Sequence, residues 1–149
     1  LTKSLQKEFS NNSWKPDIII ASYHGIPKKY FLSGDPYHCY CHKTTRLMKE
    51  DFESNIPIIT TFQSRFGPAE WLTPYTEEKL IEFATGKYKN VMLICPGFSS
   101  DCIETIEEIG LRAKEVFIKN GGKNFTLVPC LNDNDDHIKL LSSLTQRFL

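Results

Sequence analysis

No apolar run in this sequence is long enough to cross a bilayer: the longest, Ile18 to Ala21 and Val91 to Cys95, fall far short of the roughly 20 residues required. No charged-then-apolar signal segment opens the chain. Neither sign of charge is in excess, since eighteen Lys and Arg meet eighteen Asp and Glu for a pI near 7.1. That balance leaves no broad basic footprint for nucleic acid or anionic lipid. A soluble cytoplasmic protein is the expectation, with peripheral membrane contact left open. Phosphate-cradling glycine motifs are absent too: no Gly-x-Gly-x-x-Gly follows the first apolar run, and no Gly-x-x-x-x-Gly-Lys occurs. Gly97-Phe98-Ser99-Ser100-Asp101 approaches a nucleophile elbow, but Asp101 stands where that motif requires glycine. Nucleotide binding and serine hydrolysis both lose their main support.

Cysteine is sparse, with five residues (Cys39, Cys41, Cys95, Cys102, Cys130), and two of them lie in strand-like runs where a thiol behaves as a small hydrophobe. A disulfide framework is not expected. His38 and Cys39-Tyr40-Cys41-His42 have the look of a soft metal cluster but lack a second pair of ligands at zinc spacing. One side of a helix is the simpler reading. Leu1 stands where Met would open a gene product, which leads us to expect a chain cut from something longer.

What the 149 residues do contain is one domain's worth of regular alternation, enough to bury roughly 68–70% of the unfolded surface. The β-branched run Asp17 to Tyr23 is followed by a glycine turn, then by a helix-favouring segment from Gly34-Asp35-Pro36 to about Phe52. Asp35 reads as an N-cap with Pro36 at the first helical position. Ile56 to Gln63 is the next strand, and Thr76 is expected to cap a helix that carries Glu77 and Glu78 in its first turn and stops at Gly86. Asn90 to Cys95, Asp101 to about Asn120 and its closing Gly121-Gly122, Phe125 to Cys130, and Asp133 to Phe148 complete the pattern. Strand then helix, four times over, predicts an α/β domain with a four-stranded parallel sheet and helices on both faces.

In such sheets a ligand crevice lies beyond the carboxyl ends of the strands. The four exits, SYHG, TFQSRFGP, CPGFSSD and PCLND, should therefore gather along one edge. His24 leaves the first strand and Glu104 opens the third helix. An imidazole and a carboxylate suit a borderline divalent metal, and either exchanges protons near neutral pH. A loop-ordering histidine is the simpler reading for His24. For Glu104 it is a capping box over Asp101 to Glu104, the glutamate reaching back to a free backbone N–H. Glu104 and Glu108, four apart, are expected to share a helix face at a cost of about 0.2–0.5 kcal/mol, with Glu107 beside it. Phe66, Trp71 and Phe98 offer a flat apolar wall, with Arg65 at hand for a carboxylate. Gly25 is expected to let the chain turn sharply at the crevice.

SYHGIP (Ser22 to Pro27), GDPY (Gly34 to Tyr37), TFQSRFGPAEWLTPYT (Thr61 to Thr76) and CPGFSSDCIET (Cys95 to Thr105), in this order, resemble the carboxyl-terminal half of ferrochelatases. The resemblance runs from about Asp17 to the end. It implies a chelatase-like, flavodoxin-type three-layer domain, and an enzyme that inserts Fe2+ into protoporphyrin IX to form protohaem, the last step of haem biosynthesis. His24 matches the family's active-site histidine, which accepts pyrrole protons or ligates the metal. Glu104 and Glu108 match carboxylates that handle metal or protons, Trp71 and Phe98 match aromatics beside the porphyrin, and Ser64 and Arg65 fall in the loop bordering the cleft. The family's third acidic position falls on Arg112. The resemblance further implies an amino-terminal domain absent here, little activity for this segment alone, and no organic cofactor. No iron–sulfur cluster is expected, because these cysteines do not match that arrangement. A non-catalytic porphyrin- or metal-binding domain, or an enzyme acting on coproporphyrin, is the alternative.

Overall fold

The computed structural model describes residues 1–148. Four parallel strands, β1 (Ile18–His24), β2 (Ile58–Gln63), β3 (Asn90–Ile94) and β4 (Asn124–Leu127), form one sheet in the order β2-β1-β3-β4. Residues Ile18 to Tyr23 are all buried, as a central parallel strand covered on both faces must be. Alternation along β1 divides the core. Ile19, Ala21 and Tyr23 pack with Leu5 of α1 (Thr2–Asn11) and with Cys41 and Met48 of α3 (Tyr37–Asp51). Ile18 and Ile20 point the other way, against Leu80 and Phe83 of α4 (Thr76–Thr85) and the helices after β3. Helices thus cover both faces of the sheet.

The sequence reading assigns nothing before Asp17, whereas the chain opens with α1, anchored by a single fully buried side chain, Leu5. A short α2 (Lys28–Leu32) also precedes α3. Asp35 does serve the α3 terminus, its Oδ1 accepting the Tyr37 N–H at 2.8 Å, but the helix begins at Tyr37, after Pro36. Thr76 is not a cap. It is the first residue of α4, and its buried hydroxyl lies 2.8 Å from those of Ser22 and Thr61. Gly86 ends α4 as expected.

The third helical segment is one rod in three parts: α5 (Ile103–Thr105), a π-helical segment (Ile106–Ala113) and α6 (Lys114–Lys119). Its end is a Schellman closure, with Gly122 N–H donating to the Phe117 carbonyl, Gly121 N–H to that of Ile118, and Gly121 at φ +101°. Phe117, completely buried here, contributes about 1.5–3 kcal/mol of hydrophobic stabilisation. The last helix, α7 (Asp135–Thr145), is capped by Asn134, whose side chain accepts the Asp136 N–H.

Strand order places the functional edge. From β1 the chain steps outward to β2 and returns to β3 on the other side, so the loops leaving β1 and β3 diverge. Such a switch point opens a crevice between the two strand ends. His24 terminates β1, and Phe98 follows β3 by four residues.

Candidate active site

His24 is held by its own loop. Its Nδ1 lies 2.6 Å from the Gly25 carbonyl oxygen, which can only accept, so Nδ1 carries the proton and the lone pair is left on Nε2. The Tyr37 hydroxyl donates to the His24 carbonyl at 2.8 Å, fixing the backbone from the α3 side. Two aromatics flank the imidazole, Trp71 and Phe98, each with its ring centre 6.2 Å away and tilted by about 45°. Trp71 reaches this place through a short antiparallel bridge to Pro27, with Lys28 N–H donating to the Glu70 carbonyl and Leu72 N–H to that of Ile26. Gly25 is required for a reason other than a sharp turn. A Cβ there would sit 3.0 Å from Trp71 Cε3 and 3.1 Å from the Gln63 carbonyl oxygen, so the glycine permits close approach of the aromatic wall. Phe66, by contrast, is 83% exposed and lies on the loop's outer side.

Glu104 does not cap its helix. The N-cap is Cys102, whose N–H donates to the Thr105 hydroxyl at 3.0 Å while its side chain accepts from the Thr105 N–H. Threonine closes the capping box from the third helical position, and the Glu104 carboxylate is released from that duty. Hydrogen bonds from the Cys102 thiol and from Glu104's own backbone N–H hold this carboxyl below the usual range, outweighing a burial effect that raises it. Protonation of His24 would add a smaller depression. Glu104 is therefore an ionised carboxylate within electrostatic reach of His24.

Glu108 is a clamp on the β2 exit. Its Oε1 accepts the Ser64 N–H at 2.7 Å, and its Oε2 accepts the Ser64 hydroxyl at 2.7 Å and, more weakly, the Gln63 amide at 3.4 Å. Ser64 sits at φ +62°, a left-handed conformation that costs a side-chain-bearing residue about 1–2 kcal/mol, and the clamp offsets that cost. Ligating a metal would require Glu108 to give up these bonds. Glu104 and Glu108 do not share a simple α-helical face, because the backbone passes into π geometry at Ile106. Five-residue spacing brings partners together there: Arg112 reaches Glu107 at 3.3 Å. Arg65 turns toward the same side, its guanidinium 4.4 Å from the Tyr75 ring centre. It borders a hollow of about 260 Å³ lined also by Ser64, Glu77, Glu78, Glu108 and Arg112. His24, Trp71 and Phe98 thus form one group, with Glu104 in electrostatic reach of His24, while Ser64, Arg65 and Glu108 form a second on the π-segment side.

The two groups meet at Gln63, which the sequence reading passes over. It pairs with His24 in the β1–β2 register, accepts from the Ser22 hydroxyl at 2.7 Å, and donates to the Glu104 carbonyl at 2.8 Å. Comparison with known proteins shows the family of the chain. The family model described as Ferrochelatase matches residues 1–149. The chain belongs to the ferrochelatase family. It is 48% identical over 147 residues to proteins named ferrochelatase from Francisella tularensis subsp. novicida and subsp. holarctica, covering 97% of this chain and 44% of each relative. The chain therefore spans less than half the length of these ferrochelatases.

Among the described residues no group of three or more His, Cys, Asp or Glu side chains is arranged to hold a metal ion. Within the His38 to His42 stretch the four side chains separate: Cys41 is buried in the core, Cys39 is exposed, and the two imidazoles stay together. No helix among the described residues is long and apolar enough to cross a membrane.

Proposed function

We propose that this chain is the carboxyl-terminal α/β half of a ferrochelatase that inserts Fe2+ into protoporphyrin IX to form protohaem. The observation that carries the reading is the His24 imidazole at the sheet's switch point, its Nδ1 tied to the Gly25 carbonyl and the Trp71 and Phe98 rings each 6.2 Å from it. Insertion exchanges one Fe2+ for two pyrrole N–H protons, so the site needs a base at the ring centre, a group that moves charge away, and a wall that holds a bent macrocycle. His24 Nε2 takes a pyrrole proton or meets the metal, and ionised Glu104 receives protons or ligates the incoming ion. Trp71 and Phe98 bear the ring. The Glu108 clamp keeps Ser64 and Arg65 at the cleft border; Glu108 also serves as a metal-handling carboxylate when Ser64 releases it. Leaving Tyr75 costs Arg65 a cation–π contact of about 0.5–1 kcal/mol, less than the roughly 1.5–3 kcal/mol of a hydrogen bond to a porphyrin carboxylate.

The remaining length of the relatives is proposed to be an amino-terminal domain that covers the other porphyrin face. Iron enters as substrate, with no organic cofactor and no iron–sulfur cluster. The work is assigned to the cytoplasm, with peripheral membrane contact compatible with it and nucleic acid no partner. The test is metal insertion by the full-length parent, followed by visible absorption with protoporphyrin IX and coproporphyrin in parallel. His24→Ala is expected to abolish turnover, and Glu104→Gln to reduce it strongly. Normal turnover in His24→Ala would overturn the catalytic assignment, and a preference for coproporphyrin would reassign the substrate.

A further inference from the structure

We infer that His38 and His42 form a two-imidazole site for a divalent transition-metal ion, on the α3 face of the sheet. The two residues are four apart within α3, so their side chains rise from one helix face. Their ring centres lie 4.4 Å apart, with planes at 50°. A metal about 2.0–2.1 Å from one nitrogen of each ring lies roughly 3.2 Å from each ring centre, so ligands at a right angle have centres about 4.5 Å apart and tetrahedral ones about 5.2 Å. The observed spacing matches the right-angle pair, the geometry that Ni2+ and Cu2+ adopt with nitrogen and oxygen ligands.

Packing holds His38 in that position before any metal arrives. Its ring centre lies 4.6 Å from that of Phe31 and 5.9 Å from that of Phe62, to which it is nearly parallel. His42 leans on the same Phe62 at 6.4 Å. Because Phe62 is almost completely buried, the two imidazoles rest on a fixed floor, and little side-chain entropy remains to be lost on binding. His42 is solvent-exposed, so water can complete the coordination shell. The site stands apart from the His24 group and does not depend on the reading proposed for it.

Titration of the untagged chain with Ni2+ by calorimetry tests the inference. One saturable equivalent is expected, together with a rise in thermal midpoint on Ni2+ addition. His38→Ala and His42→Gln should each weaken binding at least tenfold and remove the thermal shift, while Cys39→Ser leaves both intact. Adding Lys43→His to His42→Ala should not restore binding, since the imidazole then leaves the shared face. Far-UV circular dichroism establishes that each variant retains its helix content. The inference is overturned by the absence of saturable binding, by undiminished binding in either histidine variant, or by loss of binding in Cys39→Ser. Recovery in the Lys43→His variant, or loss on His24→Ala with His38→Ala unaffected, overturns it equally.

Discussion

Each side chain at the crevice takes its role from a single neighbour. His24 presents Nε2 because a carbonyl one residue away claims Nδ1, and Glu104 is free because Thr105 does the capping. Gly25 carries the sharpest single-residue prediction. Its missing Cβ lies against a Trp71 ring edge and a Gln63 carbonyl, both held by strand or bridge pairing, so neither yields cheaply. Gly25→Ala should destabilise the chain by about 1–3 kcal/mol, the usual cost of overpacking, read as a lower urea midpoint. Asp101 supplies a pH-dependent counterpart. Burial raises its pKa, but hydrogen bonds from Asn132, Cys130 and Thr105 outweigh that and leave it below the ordinary value. A depressed folded pKa adds stability that is complete above the unfolded value of about 3.9 and fades as the pH falls through the folded one. Asp101→Ala should therefore cost about 1–3 kcal/mol at neutral pH, and the gap to the parent protein should narrow in acid, as urea titrations at the two pH values would measure.

At the scale of elements, strands and helix bodies were legible because β-branched runs and glycine stops act locally. Ile58 to Gln63 and Thr76 to Thr85 emerge within two residues of their sequence-based bounds. Caps were less legible: Thr105 closes a box with Cys102 where a glutamate is the usual partner, and Thr76 is drawn to partners across space. Thr76 turns inward to Ser22 and Thr61, which no window of local sequence contains. The π segment was invisible for another reason: over eight residues, apolar spacing hardly distinguishes its wider turn from an α-helical one. Its consequence is testable. Glu108 reaches Ser64 from this segment and holds the β2 exit in a left-handed turn. Glu108→Ala removes the acceptor of three donors, two of them on Ser64, and should cost about 1.5–3 kcal/mol. Ser64→Gly keeps the N–H bond and relieves the backbone, so its cost should be smaller. Equal losses in chemical denaturation would refute the clamp.

On the scale of the whole molecule, strand-helix alternation placed the candidate residues in advance: it implies a parallel sheet, and the carboxyl edge of a parallel sheet is where ligands bind. Sequence alone did not show that Gln63 joins His24 to the π segment, because a lone glutamine at a strand end carries no motif. The same architecture bears on how much of the family's chemistry this length can perform. Trp71 and Phe98 both belong to this half and bear on His24, which gives a flat ring a base and part of a wall. On the proposed reading, a macrocycle placed there keeps a solvent-facing side and the freedom to tilt, and a misplacement of about 1 Å can cost a hundredfold in rate. A hundredfold loss corresponds to about 2.7 kcal/mol of transition-state stabilisation, a modest share to assign to an absent second wall. The 149-residue chain should therefore insert metal at least a hundredfold more slowly than the full-length parent under saturating Zn2+, as paired absorbance assays would measure. Its fold, judged by a cooperative urea transition, should persist. Equal rates would mean that the crevice beside His24 is sufficient by itself and that the rest of the relatives' length serves another purpose.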